Sequence, residues 1–167
     1  MTTIQPMDHE AYMRFCLDLA RKSPPKPTNY RVGAVLVDLA SNDILATGYT
    51  LELPGNIHAE QCCFMKLAEQ HGVPEERLKD VLPPRMALYT TVEPCSKRLS
   101  GNLPCVERVL RLAGSIQTVY VGVMEPATFV SSNTGKASLD AAGISVVHVA
   151  GLEPEILQVA TAGHVLP

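Results

Sequence analysis

Apolar residues near the start of the chain recur at helical spacing. Ala11, Phe15 and Leu19 lie four apart, and Met13, Cys16, Leu17 and Ala20 fill in the stripe. A repeat close to 3.6 residues puts them on one face, so the pattern predicts an amphipathic helix over 9–22, capped by Asp8. Ser23-Pro24-Pro25-Lys26-Pro27 stops it, because proline neither donates to a helix nor fits inside one. Val32-Gly33-Ala34-Val35-Leu36-Val37 is a continuous apolar run rich in β-branched residues, which reads as a buried strand. Ser41-Asn42-Asp43 is a turn. Residues 44–50 then form a second strand, antiparallel to the first because the connection is so short.

The later chain alternates between the two periods. Residues 58–71 hold good helix formers and no breaker, and Gly72 with Pro74 ends that helix. A short extra helix over 75–82 is closed by Pro83-Pro84. Residues 86–91 read as a third strand, followed by a polar loop over 93–103. Pro104 suits a helix start, and Val106, Val109, Leu110 and Ala113 give that helix an apolar face, with Gly114 as its cap. A strand over 116–123, a helix over 131–142, a strand over 144–149 and a final helix over 153–162 complete the order. Helices alternating with strands predict a sheet covered on both faces. The expected fold class is α/β: a three-layer α/β/α sandwich on a mixed five-stranded sheet, in a single domain over 1–167.

Composition narrows the function classes. The chain carries 46% hydrophobic and 19% charged residues and a net charge of -3, so nothing basic attracts a phosphate backbone. Aromatic residues make up 5%, without Trp, which leaves little material for base-stacking platforms. Nucleic acid is therefore not expected as a partner. Five cysteines, an odd number, do not form a secreted disulfide framework. The first residues lack a basic start followed by an apolar run, and no stretch approaches the roughly 20 apolar residues of a spanning helix. The expectation is a cytoplasmic protein with no signal peptide and no membrane contact.

Three stretches carry the chemistry: His58-Ala59-Glu60, Glu93-Pro94-Cys95 and Asn102-Leu103-Pro104-Cys105. One imidazole and two thiols can supply three ligands to zinc, and a catalytic zinc leaves its fourth position to water. His58 and Cys105 both fall at predicted helix starts, where the helix end favours a thiolate. Cys95 follows the third strand and can close the cluster. Two thiolates make the metal less acidifying than three imidazoles would, so a nearby proton acceptor matters more, and Glu60 is the candidate. A closed structural site would need a fourth ligand. Cys62 and Cys63 are near in sequence, but they read as packing residues of the helix.

His-x-Glu followed by Pro-Cys-x-x-Cys is the signature of zinc nucleobase deaminases. Here nine residues, 96–104, separate the two cysteines. With that longer loop, the stretches 58–63 and 91–105 resemble the riboflavin-pathway branch of the superfamily, the fungal diaminohydroxy(ribitylamino)pyrimidine phosphate deaminases. Residues 121–126 and 128–130 extend the likeness, which covers about 29–150. The resemblance implies a cytidine-deaminase-like fold, one Zn2+ per chain on His58, Cys95 and Cys105, and Glu60 as the acid/base residue. It implies a small pyrimidine nucleotide-like substrate whose 2-amino group is replaced by oxygen, and a homodimer. Asn29 would contact substrate, the Ala59 backbone N–H would face the ring, and Lys97 and Arg98 are candidates for the phosphate, as are Lys26 and Arg31. Bacterial relatives carry Asp-Pro-Asn-Pro where this chain has Glu125-Pro126-Ala127-Thr128, so the tail contacts must differ. The chain is too short for the reductase domain of the bacterial relatives, so a deaminase alone is expected. A deaminase of cytidine, deoxycytidylate, guanine or tRNA adenosine is the second enzyme class, and a zinc-stabilised partner-binding domain is the non-enzyme class.

Overall fold

The computed structural model describes residues 3–96, 103–124 and 134–164. The element order is α1 (His9–Ala20), β1 (Gly33–Asp38), β2 (Asp43–Tyr49), α2 (Ala59–His71), a 3-10 segment (Glu75–Asp80), β3 (Met86–Val92), α3 (Cys105–Leu110), β4 (Ile116–Val123), α4 (Thr134–Ala141), β5 (Ser145–His148) and α5 (Glu153–Ala160). Asp8 caps α1 by accepting from the Ala11 N–H at 3.1 Å. α2 ends at Gly72 in the left-handed conformation, which a residue without Cβ adopts cheaply.

The sheet order is β2-β1-β3-β4-β5. β1 pairs antiparallel with both β2 and β3, whereas β3–β4 and β4–β5 are parallel. All seven residues of β3 are buried, as befits a central strand covered on both faces. Its alternate residues serve opposite layers. Met86 and Leu88 join the core under α2, α3 and α4. Ala87 and Tyr89 join the core under α1 and α5. This is the mixed three-layer α/β/α sandwich that the hydrophobic pattern predicts.

Strand direction positions the site. β2 and β3 are both antiparallel to β1, so they run the same way and end at the same edge of the sheet. α2 follows β2 and α3 follows the loop after β3, so both helices begin at that edge.

The helices differ from their predicted spans at their ends: α1 stops at Ala20 and α5 at Ala160, each two residues short. α3 stops at Leu110 and continues as turns, with Gly114 in the left-handed region at φ +90°. The 75–82 segment is a 3-10 segment, a form suited to short pieces. The predicted helix over 131–142 is described from Thr134 onward.

Candidate metal centre and its surroundings

His58 is the residue before α2. Its backbone is extended, and its carbonyl accepts the first helical bond from the Cys62 N–H at 2.9 Å. Its side chain makes no capping bond, so the imidazole is free for other work. α2 can lie close to β2 because Gly48 has no side chain. A Cβ there would stand 2.3 Å from the Ala59 carbonyl oxygen and 3.0 Å from the Cys62 Cβ. Gly48 therefore sets how far the head of α2 sits from the sheet.

Cys95 performs the capping for α3. The first N–H groups of a helix have no partner within it. Here the Cys105 N–H donates to Cys95 Sγ at 3.3 Å, and the Val106 N–H donates to the Cys95 carbonyl at 3.0 Å. The two thiols are thereby brought face to face.

His58 Nδ1 lies 3.5 Å from Cys95 Sγ and 3.6 Å from Cys105 Sγ, and the three ligand atoms all fall within 4.8 Å of one another. Zinc held tetrahedrally at about 2.0 Å from nitrogen and 2.3 Å from sulfur would space those atoms about 3.6 Å apart. The triangle thus has the size and the donor chemistry of a zinc site, with three donors for a four-coordinate ion. Hydrogen bonding from Cys105, together with the neighbouring His58, holds the Cys95 thiol far below its ordinary pKa, and the thiolate is the form that binds a metal. Burial does the reverse elsewhere, pushing Cys62 up to about 12 and Cys63 well above its ordinary value. Those two stay protonated and pack: Cys63 lies in the core and Cys62 donates to Glu52 at 3.4 Å.

Glu60 is 3% exposed, on the first turn of α2. Burial is the main cause that raises its carboxyl pKa; the Cys95 charge adds to this, and His58 opposes it. Thr90 of β3 points from the sheet into the same layer. Its Oγ1 lies 2.8 Å from Glu60 Oε1 and 2.9 Å from the Val92 carbonyl oxygen. One hydroxyl can serve both proton states of the acid. It donates to a charged Glu60; when Glu60 is protonated it accepts from the carboxyl and donates to Val92.

The loop side of the site is built around Asn29. Its side-chain amide donates to Asn56 Oδ1 at 2.9 Å, and its Oδ1 accepts from Thr28 at 2.9 Å. Asn56 is two residues before His58, so Asn29 is tied to the segment that carries the imidazole. Ala59 is fully buried at the head of α2. Arg31, a phosphate candidate in the sequence, is turned inward: its guanidinium donates to the Ser23 and Arg21 carbonyls at 2.7 and 2.6 Å. It closes the end of α1. Lys97, Arg98 and 125–128 lie outside the described residues.

Sequence reading misses three contributors. Gly48 and Thr90 are ordinary strand residues until the register is known. The third is an ion pair between Arg108 of α3 and Glu75 of the 3-10 segment, both largely buried. Arg108 also donates to the Leu103 carbonyl at 3.3 Å. The segment over 73–85 therefore braces the stretch that leads into Cys105.

Residues 6–123 match the family model described as the cytidine and deoxycytidylate deaminase zinc-binding region. The chain belongs to that family. Within it, the chain is similar to the Aspergillus oryzae Rib2 deaminase, in a C-terminal deletion mutant at pH 4.6, with 52% identity and a TM-score of 0.86 over 93% of this chain and 92% of that one. The same deaminase in complex with DARIPP is 50% identical, with a TM-score of 0.84 over 93% and 91% of the two chains. A curated relative, the diaminohydroxyphosphoribosylamino-pyrimidine deaminase of Schizosaccharomyces pombe, is 36% identical over 161 residues. That match takes in 96% of this chain and 37% of the relative, so the chain spans little over a third of the curated relative's length.

Proposed function

We propose that the chain is a zinc-dependent hydrolytic deaminase of riboflavin biosynthesis. Its substrate is 2,5-diamino-6-ribitylamino-4(3H)-pyrimidinone 5'-phosphate, and its products are 5-amino-6-ribitylamino-2,4(1H,3H)-pyrimidinedione 5'-phosphate and ammonia. One observation carries the reading: a buried carboxyl, Glu60, beside a three-donor metal triangle, held by a hydroxyl that suits both of its proton states. The likeness to a fungal deaminase whose structure holds DARIPP supports the choice of substrate.

When bound on His58, Cys95 and Cys105, zinc supplies a Lewis acid that lowers the pKa of a coordinated water. The protein supplies the rest. Glu60 takes a proton from the attacking water and returns protons to the ring nitrogen and the departing amino group, so water adds and ammonia leaves. Its raised pKa suits a group that must both accept and give. Asn29 orients the substrate from the loop side, and Ala59, with no side chain beyond Cβ, leaves the ring room at the head of α2. The five free cysteines suit a reducing, cytoplasmic setting, and among the described residues no helix is long and apolar enough to cross a membrane. A single deaminase domain working as a homodimer without nucleic acid completes the reading.

Ammonia release over a panel tests it: the ribitylamino pyrimidinone phosphate, its ribosylamino counterpart, cytidine, deoxycytidylate and guanine. The ribitylamino compound is expected to turn over fastest, and turnover of cytidine but neither pathway compound would refute the substrate assignment. Glu60→Gln is expected to keep its zinc and lose roughly 10²–10⁴-fold in rate. A fully active variant would remove Glu60 from the chemistry.

A further inference from the structure

A cavity of about 380 Å³ is lined by Lys26, Thr28, Asn29, Leu51, Gly55 and Asn56, the last of these two residues before His58. Its volume is within the range of small-molecule sites. We propose that this cavity is the subsite for the phosphorylated polyol tail of the substrate, with the Lys26 ammonium as the cation that meets the phosphate. The inference rests on the deaminase reading for the identity of that substrate.

Reach is the first reason. Asn56 lies two residues from His58, so at about 3.6 Å per residue their Cα atoms are no more than about 7 Å apart. A five-carbon chain ending in phosphate spans roughly 9 Å at about 1.5 Å per bond. A ring at the metal triangle can therefore place its tail in this cavity.

The lining chemistry is the second. It combines an ammonium, a hydroxyl and two carboxamides, with no carboxylate. Asn29 spends one amide hydrogen on Asn56 and keeps another for a polyol hydroxyl. The nearest acid along the same loop, Glu52, is taken up by Lys66 at 2.6 Å, so its charge does not oppose an anion. On a chain of net charge -3, a cation-lined cavity of this kind is not a general surface property. Arg31, the neighbouring cation, is spent on the end of α1.

The third reason is that the walls are fixed. The segment after α5 packs against the Lys26 side. The Asn29 carbonyl accepts from His164 Nε2 at 2.8 Å, and the Arg31 N–H donates to the Ala160 carbonyl at 3.0 Å. Gly163 lies so close that a Cβ there would stand 2.8 Å from the Lys26 backbone nitrogen. Leu51, also in the lining, is held in the left-handed region at φ +64°, and its N–H donates to the Ile57 carbonyl at 2.9 Å. A bulky residue persists in that conformation only when its surroundings impose it.

The test compares the phosphorylated substrate with its dephosphorylated counterpart on the zinc-loaded protein. Lys26→Ala is expected to lower the ratio of their kcat/KM values by about tenfold, the scale of one partly exposed charge-assisted bond, mainly through KM of the phosphorylated compound. Lys26→Arg should restore most of the ratio. An unchanged ratio, or an equal loss on both compounds, would overturn the subsite. Calorimetry with ribitol 5-phosphate provides an arm that does not depend on turnover: binding should weaken about tenfold in Lys26→Ala, and equal binding by both proteins would overturn the proposal. If the unaltered protein released ammonia from no pyrimidine, the functional reading would fail, and the binding arm would still decide the subsite.

Discussion

Thr90 donates to the Glu60 carboxylate from a buried position in β3, and that bond favours the charged form of the acid. Hydrogen bonds to charged groups are worth about 1.5–3 kcal/mol, more than the reverse bond from a neutral carboxyl. Deleting the hydroxyl therefore raises the Glu60 pKa further. Glu60 must be ionised to accept a proton from water, so activity falls as pH drops through its pKa, and a higher pKa moves that fall to higher pH. Thr90→Val should shift the acid limb of kcat/KM upward and cost about tenfold at neutral pH, with Thr90→Ser close to the unaltered enzyme. A pH–rate profile of the three proteins decides it; an unmoved limb in Thr90→Val would separate Thr90 from the acid/base step. The cluster of His58, Cys95 and Cys105 was legible in the sequence because those side chains carry chemistry that few positions need. Thr90 was not, since a threonine in a strand reads as β-propensity until the register points it at a carboxyl.

Between elements, the site depends on how closely helices approach strands. Gly48 lets the head of α2 lie against β2, and a methyl group there would meet the Ala59 carbonyl at 2.3 Å. Backbone cannot rotate away as a flexible side chain can, so α2 must move. Gly48→Ala should cost about 1–3 kcal/mol of stability and displace His58 from the thiol pair. Thermal unfolding by circular dichroism and zinc competition with a chelator measure the two effects, and an unchanged zinc affinity would free Gly48 of any role at the site. The hydrophobic pattern predicted nearly every element because periods of two and 3.6 survive in a single sequence. It could not reveal the Glu75–Arg108 brace. Charges on two short helical segments look solvated, and only the fold brings them together and buries them.

Across the whole molecule, the metal triangle joins the residue preceding α2 to Cys95, which follows β3, and to Cys105, the first residue of α3. Zinc that binds the folded chain alone stabilises it by mass action, about 4 kcal/mol at a thousandfold excess over Kd. For a chain of this size that corresponds to a melting temperature higher by roughly 8–16 °C. Chelation should remove that increment and leave the far-ultraviolet spectrum of the sheet and helices largely intact, because neither core includes His58, Cys95 or Cys105. A melting curve indifferent to chelator would argue against a resident ion. The arrangement has a further result for how such a protein can change over time. Cys95 and Cys105 are held together by hydrogen bonds from α3 as well as by their shared proximity to His58. The interval between them is pinned at both ends, and doubling the length of a flexible segment so pinned costs only about 0.6 kcal/mol of closure entropy. The metal chemistry can stay constant while that interval is lengthened, shortened or rewritten. New substrates could then be reached by changing that interval alone.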